Sequence, residues 1–380
     1  MKKSAWLRTG FGILSCVLVL SGLAFYKRGS DRDVTASFFC EEGKYSFSFY
    51  NAVRKENALT SCNLSPEMFE EDPSLWNRDI ALLSASLLMA LDEGKAGFYG
   101  IGETEFFGRG EYILRAYREL GFRVGTSLSD SDVSLFSFPK SLWNETDVPG
   151  ASTEDEDFAY SVAFRAIGEG EDAKNLVTVL LRGTETLAEL FADGVLTQTA
   201  VPFMDTETFP VYLAYYEDVM AGIRYFLGKH EKEMAGKETC FLVAGHSLGG
   251  AAAELVAADL TENSDDGTKV YAYTFGALNA LTEERTSDYT NIWNVMNELD
   301  TYGPKGKVWD VFKPSKGGET FTNKFGSVLI FSGRDYNEIM NTDYVSANHS
   351  LMGYYDAAFY DFSVFDGENT VFYTEGEALN

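Results

Sequence analysis

From residue 158 onward, short apolar runs alternate with longer segments of helical spacing. The runs at 159–166, 176–181, 239–244, 269–274, 291–297 and 327–331 are rich in β-branched and aromatic residues and have strand length. Between them, 211–234 and 248–260 repeat apolar residues at the three- and four-residue intervals of a helix. Strands alternating with helices predict parallel βαβ units, hence an α/β, mostly parallel central sheet flanked by helices. In such sheets ligands and chemistry gather at the carboxyl ends of the strands, so the loops that follow each strand matter most.

Upstream the pattern differs. Residues 75–92 place Ile80, Leu83, Leu87 and Leu91 at helical spacing, and a second helix is expected over 111–120 with Gly121 as its stop. Residues 127–157 are rich in Ser, Asp and Glu, with two prolines, and predict a strand or two joined by exposed loops. The segment 31–74 reads as a polar linker. Ahead of it, residues 9–26 carry no charge and are flanked by Lys2, Lys3 and Arg8 on one side and Lys27 and Arg28 on the other. That run stands at the border between a signal-peptide core and a short membrane anchor. Either implies export, and the basic residues ahead of it leave the bulk of the chain outside the cytoplasm, membrane-anchored or secreted. The expected organisation is therefore 1–30 signal peptide or signal anchor, 31–74 linker, 75–157 helical and loop extension, and 158–380 catalytic domain.

Composition narrows the field. The chain has 380 residues, of which 45% are hydrophobic and 23% charged, as in a folded globular protein. Its 31 basic and 58 acidic residues give a net charge of −27, spread along the sequence. Such a field repels polyphosphates, which argues against nucleic acid as a partner and against polybasic adhesion to anionic lipid. Four cysteines, at 16, 40, 62 and 240, form no CxxC or Cys/His ligand spacing, so no zinc site is expected. Cys40 and Cys62 can pair only in an oxidising compartment; two free thiols are the alternative.

The most informative segment is Gly245-His246-Ser247-Leu248-Gly249-Gly250, entered from an apolar strand and left through a helix of small residues. A strand-to-helix turn this tight needs glycines where a Cβ would strike the neighbouring backbone, and it presents Ser247 as a nucleophile. A serine hydroxyl needs a base and the base an orienting acid. Only three histidines are available. His246 is fixed beside the nucleophile and expected to pack or bond locally. His230, in a charged helix end, reads as a solvated surface residue. His349, at a loop-to-helix junction after the last strand, remains as the base. The acid should follow a strand between Ser247 and His349; Asp300, just past 291–297, is the first candidate and Asp310 the reserve. The oxyanion that forms on a carbonyl needs two donors. The backbone amide of Leu248 supplies one, and Thr184, in Arg182-Gly183-Thr184 after an earlier strand, is the candidate for the other.

Taken in order, Arg182-Gly183-Thr184, the Ser247 elbow, Tyr273-Thr274-Phe275-Gly276, Asn297-Glu298-Leu299-Asp300 and His349 resemble the class 3 (fungal-type) lipases of the α/β-hydrolase fold, in their bacterial branch. The resemblance spans roughly residues 160–360 and implies Ser247, Asp300 and His349 as a catalytic triad, Thr184 and Leu248 as the oxyanion pair, and no metal or organic cofactor. It also makes 187–203 a lid candidate, with packed core as the alternative for its apolar residues Leu187, Leu190, Phe191, Val195 and Leu196. The sequence departs from the family after the acid, where Thr301-Tyr302-Gly303-Pro304 replaces a Val-Pro pair. The expected activity is hydrolysis of carboxylic esters, such as acylglycerols, through an acyl-enzyme. A catalytically silent cell-surface binding protein on the same scaffold is the alternative, and the intact set of Ser247, His349 and an acid argues against it.

Overall fold

The computed structural model describes residues 43–51, 56–92, 110–125, 131–137, 158–170, 173–183, 199–282, 285, 288–297, 300, 323–331, 349–360 and 371–373. The chain divides into two units, 1–42 and 43–380, and all described residues lie in the second. The expected export segment and Cys40 therefore fall outside the described residues. Among the described residues no helix is long and apolar enough to cross a membrane.

The first element corrects the linker reading. Strands β1 (Lys44–Asn51) and β2 (Glu56–Asn63) pair antiparallel, with Phe47 opposite Thr60 and Phe49 opposite Ala58. Phe47 and Phe49 are buried, and Ser46 and Ser48 face the other way, a period of two that the polar composition hides. Cys62 on β2 is a free, buried thiol, pushed up to about 12 by burial and by the charge of Asp79. A short 3-10 turn (Pro66–Phe69) leads to helix α1 (Arg78–Asp92). Its start is capped by Asn77, whose Oδ1 accepts the N–H groups of Asp79 and Ile80 at 3.0 and 3.1 Å. Helix α2 (Glu111–Glu119) ends at Gly121, whose positive φ closes the turn as expected.

The remaining strands form one sheet. They are β3 (Val133–Ser137), β4 (Phe158–Ile167) and β5 (Lys174–Leu181), then a two-residue pair β6 (Thr199–Ala200) and β7 (Glu207–Thr208) outside the sheet. Helix α3 (Pro210–Met234), β8 (Thr239–His246), helix α4 (Leu248–Asn263), β9 (Lys269–Phe275), β10 (Ile292–Asn297), β11 (Ser327–Phe331), helix α5 (Leu351–Tyr360) and β12 (Val371–Tyr373) follow. The strand order is β12-β11-β10-β9-β8-β5-β4-β3. From β5 to β11 the pairs are parallel, whereas β3, β4 and β12 join antiparallel. The extension 75–157 is thus part of the same body, since it supplies the edge strand β3 and helices on the sheet.

Parallel strands covered on both faces are buried along their length, as β8 is from Cys240 to Gly245 and β9 from Val270 to Phe275. Alternation along β8 divides the core: Cys240, Leu242 and Ala244 join the cluster of β1, α1 and α5, while Phe241 and Val243 join that of α3 and α4. This is the three-layer arrangement of an α/β-hydrolase, with the parallel strands ending at one common edge.

Candidate active site

The turn from β8 into α4 leaves no room for side chains at its glycines. A Cβ on Gly245 would stand 2.2 Å from the Gly249 carbonyl oxygen, and one on Gly249 would stand 2.2 Å from that of Arg182. Ser247, between them, takes φ 54° and ψ −121°. A non-glycine residue in that region is strained by about 1–3 kcal/mol and persists only where its surroundings fix it. They do: its N–H donates to the Phe275 carbonyl at 3.1 Å, and its own carbonyl accepts the N–H groups of Ala251 at 3.1 Å and Leu278 at 3.3 Å.

The strain aims the hydroxyl at His349. The distance from Ser247 Oγ to His349 Nε2 is 2.9 Å, and His349 Nδ1 lies 2.9 Å from both carboxylate oxygens of Asp300. All three residues are buried, with Ser247 the most accessible at 7%. A carboxylate only accepts, so Nδ1 carries the proton toward Asp300 and the lone pair on Nε2 faces the serine hydroxyl. The structure thus brings together three residues from separate chain segments: the elbow, the passage after β10, and the approach to α5. Asp310 lies outside the described residues.

Asp300 is itself held. Its N–H donates to the Asn297 carbonyl at 3.0 Å, and Tyr354 on α5 donates its hydroxyl to Oδ2 at 2.5 Å while accepting the Asn297 N–H at 3.2 Å. Burial and the neighbouring Asp300 charge drive the Tyr354 ionisation well above the ordinary phenol range, so it stays a donor. Gly276, at φ 54°, makes the space: a Cβ there would come within 3.1 Å of Asp300 Oδ2 and 2.9 Å of the Tyr354 ring. Tyr354 is the participant the sequence reading passed over. It stands in the first turn of α5, five residues after His349, and no pattern in the sequence singles it out.

His246 takes the local role expected of it. Its Nε2 lies 2.8 Å from the His349 carbonyl oxygen, and burial together with the nearby His349 pushes its pKa down to about 3. The ring is neutral, so Nε2–H donates to that carbonyl. His230, by contrast, is buried between the rings of Phe226 and Phe164 rather than solvated, because it shares the inner face of α3 with Val219, Ile223 and Phe226.

On the oxyanion side, Leu248 opens α4, where the first amides have no partner within the helix, and the positive end of the helix points to the same place. The second strand approaches as expected. A Cβ on Gly183 would be 3.2 Å from the Ser247 Cβ, so the chain leaving β5 runs against the nucleophile. Arg182 is buried there, donating to the Gly183 carbonyl at 2.9 Å, and its charge partly offsets the burial that pushes Asp92 up to about 6. Thr184 lies outside the described residues, as does 187–198 of the lid candidate; in its described part, Val201 is packed in the core.

Among the described residues, Asp132, His230 and Glu233 bring ligand-type atoms within 4.8 Å of one another. Arg123 already fills that cluster, pairing with Asp132 at 2.6 and 3.1 Å and approaching Glu233 at 3.6 Å. A second cation there would meet the guanidinium. The cluster also sits by the end of α3, near the start of β8 and so at the opposite sheet edge from Ser247.

A strained serine on a strand-helix elbow, bonded to a histidine that is bonded to a buried aspartate, is the arrangement by which serine hydrolases activate a nucleophile. Residues 178–301 match the family model described as Lipase (class 3), a stretch that takes in Gly183, the elbow and Asp300. That segment is similar to the class 3 lipases. A comparison with curated proteins finds no match. Among solved structures, the chain is similar to a lipase from Rhizopus microsporus var. chinensis, at 15% identity and a TM-score of 0.37 over 68% of this chain and 76% of that one. It is also similar to the triacylglyceride lipase of Rhizomucor miehei, at 17% identity and a TM-score of 0.36 over 66% and 78%.

Proposed function

We propose that the protein hydrolyses neutral carboxylic esters, acylglycerols among them, with Ser247 as nucleophile, His349 as base and Asp300 as the orienting acid. The supporting observation is the unbroken chain from Ser247 Oγ through both ring nitrogens of His349 to Asp300. As Oγ attacks the ester carbonyl, His349 Nε2 takes its proton and Asp300 stabilises the imidazolium. The carbonyl oxygen becomes an oxyanion, received by the amide of Leu248 and by Thr184. Collapse expels the alcohol, which takes the proton from His349, and leaves an acyl-Ser247 ester. Water, deprotonated by the same nitrogen, then releases the acid and restores the serine.

The net charge of −27 favours uncharged esters over anionic ones. The apolar run 9–26 and its basic flank support export, with the hydrolase body outside the cytoplasm, tethered or released. The test is a chain-length series of nitrophenyl esters beside an emulsified triglyceride, run on the full chain and on Ser247→Ala. Turnover that survives in Ser247→Ala would defeat the proposal, as would the absence of turnover on every ester.

A further inference from the structure

Lys324 has no place in ordinary lysine chemistry. It lies just before β11, 1% exposed, and its Nζ sits 3.4 Å from Oε1 of Glu254, which is 0% exposed on the elbow helix α4. Removing two such charges from water costs several kcal/mol per ion, and an apolar pair of the same volume commonly gives a fold equal or greater stability. Stability alone does not account for the pair, so its hydrogen bonds must be followed outward.

Nζ donates to two backbone carbonyls, those of Ala277 and Leu278, each at 2.7 Å. The Ala277 carbonyl and the Leu278 N–H belong to one peptide group. That N–H donates to the carbonyl of Ser247 at 3.3 Å. A single line therefore runs from the ammonium, through one peptide unit, to the backbone of the strained nucleophile. A cation bound to a peptide oxygen strengthens the N–H of the same peptide as a donor, because the two dipoles polarise together. Glu254 fixes the other end, since its Oε2 accepts the Phe325 N–H at 3.1 Å and keeps residues 324 and 325 against α4. Gly250 closes the arrangement: a Cβ there would lie 2.7 Å from that of Ala277, so the loop rests directly on the elbow.

We propose that Lys324, clamped by Glu254, is a positioning residue that holds the Ser247 backbone in its strained conformation through the Ala277–Leu278 peptide. It touches no substrate. Its effect is to keep the serine hydroxyl in line with His349 Nε2 without paying for the alignment during turnover. Burial lowers the Lys324 pKa, while the charge and hydrogen bond of Glu254 and the charge of Asp300 oppose that shift. This inference rests on the hydrolase reading above.

The test compares the full chain with the pair Lys324→Met and Glu254→Gln made together, which removes both charges and keeps an acceptor for the Phe325 N–H. Active sites are titrated with a fluorophosphonate, so that kcat on a short nitrophenyl ester is expressed per competent serine. A structural role lowers the number of titrated sites and leaves kcat per site unchanged. Positioning predicts kcat per site lower by roughly 10- to 100-fold at an unchanged KM, since misplacement by about 1 Å costs that much. A kcat per site within about twofold of wild type would overturn the role. If the double variant does not fold, replacing the Leu278 amide by an ester, through the corresponding hydroxy acid, removes the N–H and weakens the Ala277 carbonyl as an acceptor, the two ends of the peptide that Lys324 acts through. It should reproduce the loss, and an unchanged kcat would overturn the role. A wild-type chain that neither turns over esters nor takes up the fluorophosphonate at Ser247 would overturn the hydrolase reading and this inference with it, whereas a reactive wild type matched by its variants overturns this inference alone.

Discussion

Tyr354 donates its hydroxyl to Asp300 Oδ2 at 2.5 Å, from the same helix that begins beside His349. His349 and Asp300 are thus tied together twice, directly through the imidazole and indirectly through α5. The carboxylate receives donors from both His349 and Tyr354, and these fix its orientation before any imidazolium forms.

Tyr354→Phe should lower kcat by about tenfold, the scale of one hydrogen bond to a charged group at about 1.5 kcal/mol, with KM unaffected. Steady-state kinetics on a soluble ester checks this. A wild-type kcat would mean that the imidazole alone orients Asp300.

Asp300→Asn keeps the shape of the site and reverses the tautomer of His349. The expected loss is on the order of 10⁴ in kcat, the scale of the same change in a serine-protease triad. Asp310→Asn, measured in parallel, should leave more than about a tenth of the activity. A crippling Asp310 substitution beside a mild Asp300 one would reassign the acid.

Gly249→Ala drives a methyl to 2.2 Å from the Arg182 carbonyl oxygen, a backbone atom that cannot swing away. The elbow must open or β5 must shift. The variant should lose at least about 3 kcal/mol of stability, well above the usual range for a surface change. Chemical denaturation compared with Gly228→Ala, a position with open space around it, gives the contrast.

His246 carries a pH signature. The folded state holds it neutral down to about pH 3, whereas the unfolded chain takes up a proton near 6.5. Between those values the unfolded state binds more protons, so the stability is complete above pH 6.5 and is drawn down as the pH falls toward 3. The slope contributed is about 1.4 kcal/mol per pH unit. His246→Gln keeps a donor for the His349 carbonyl and removes the titration. Denaturant midpoints between pH 4 and 6.5 should converge on those of wild type as the acid side is approached, and parallel curves would contradict the assignment.

Much of this site was legible in the chain itself. The elbow is a local feature, written in consecutive glycines between an apolar strand and a small-residue helix, and the scarcity of histidine led to His349 by elimination. Asp300 followed from the rule that chemistry sits after strands. What stayed hidden depends on partners distant in sequence. Ser46 and Ser48 make the β1 segment look like linker, and only burial of Phe47 and Phe49 under α1 and α2 makes it a strand. His230 looks solvated among Lys229, Glu231 and Lys232, although the helical spacing from Phe226 turns it inward. Lys324, flanked by Asn323 and Phe325, gives no sign that a glutamate seventy positions earlier awaits it on the elbow helix.

The central claim is that His349 activates Ser247, and the rate at which a fluorophosphonate modifies the chain tests it most directly. Peptide mapping of the labelled wild-type protein should place the adduct on Ser247. His349→Ala should slow that reaction by on the order of 10⁴ or more at the same pH, in keeping with loss of a member of such a triad. An adduct at another serine, or equal rates for the wild type and His349→Ala, would contradict it.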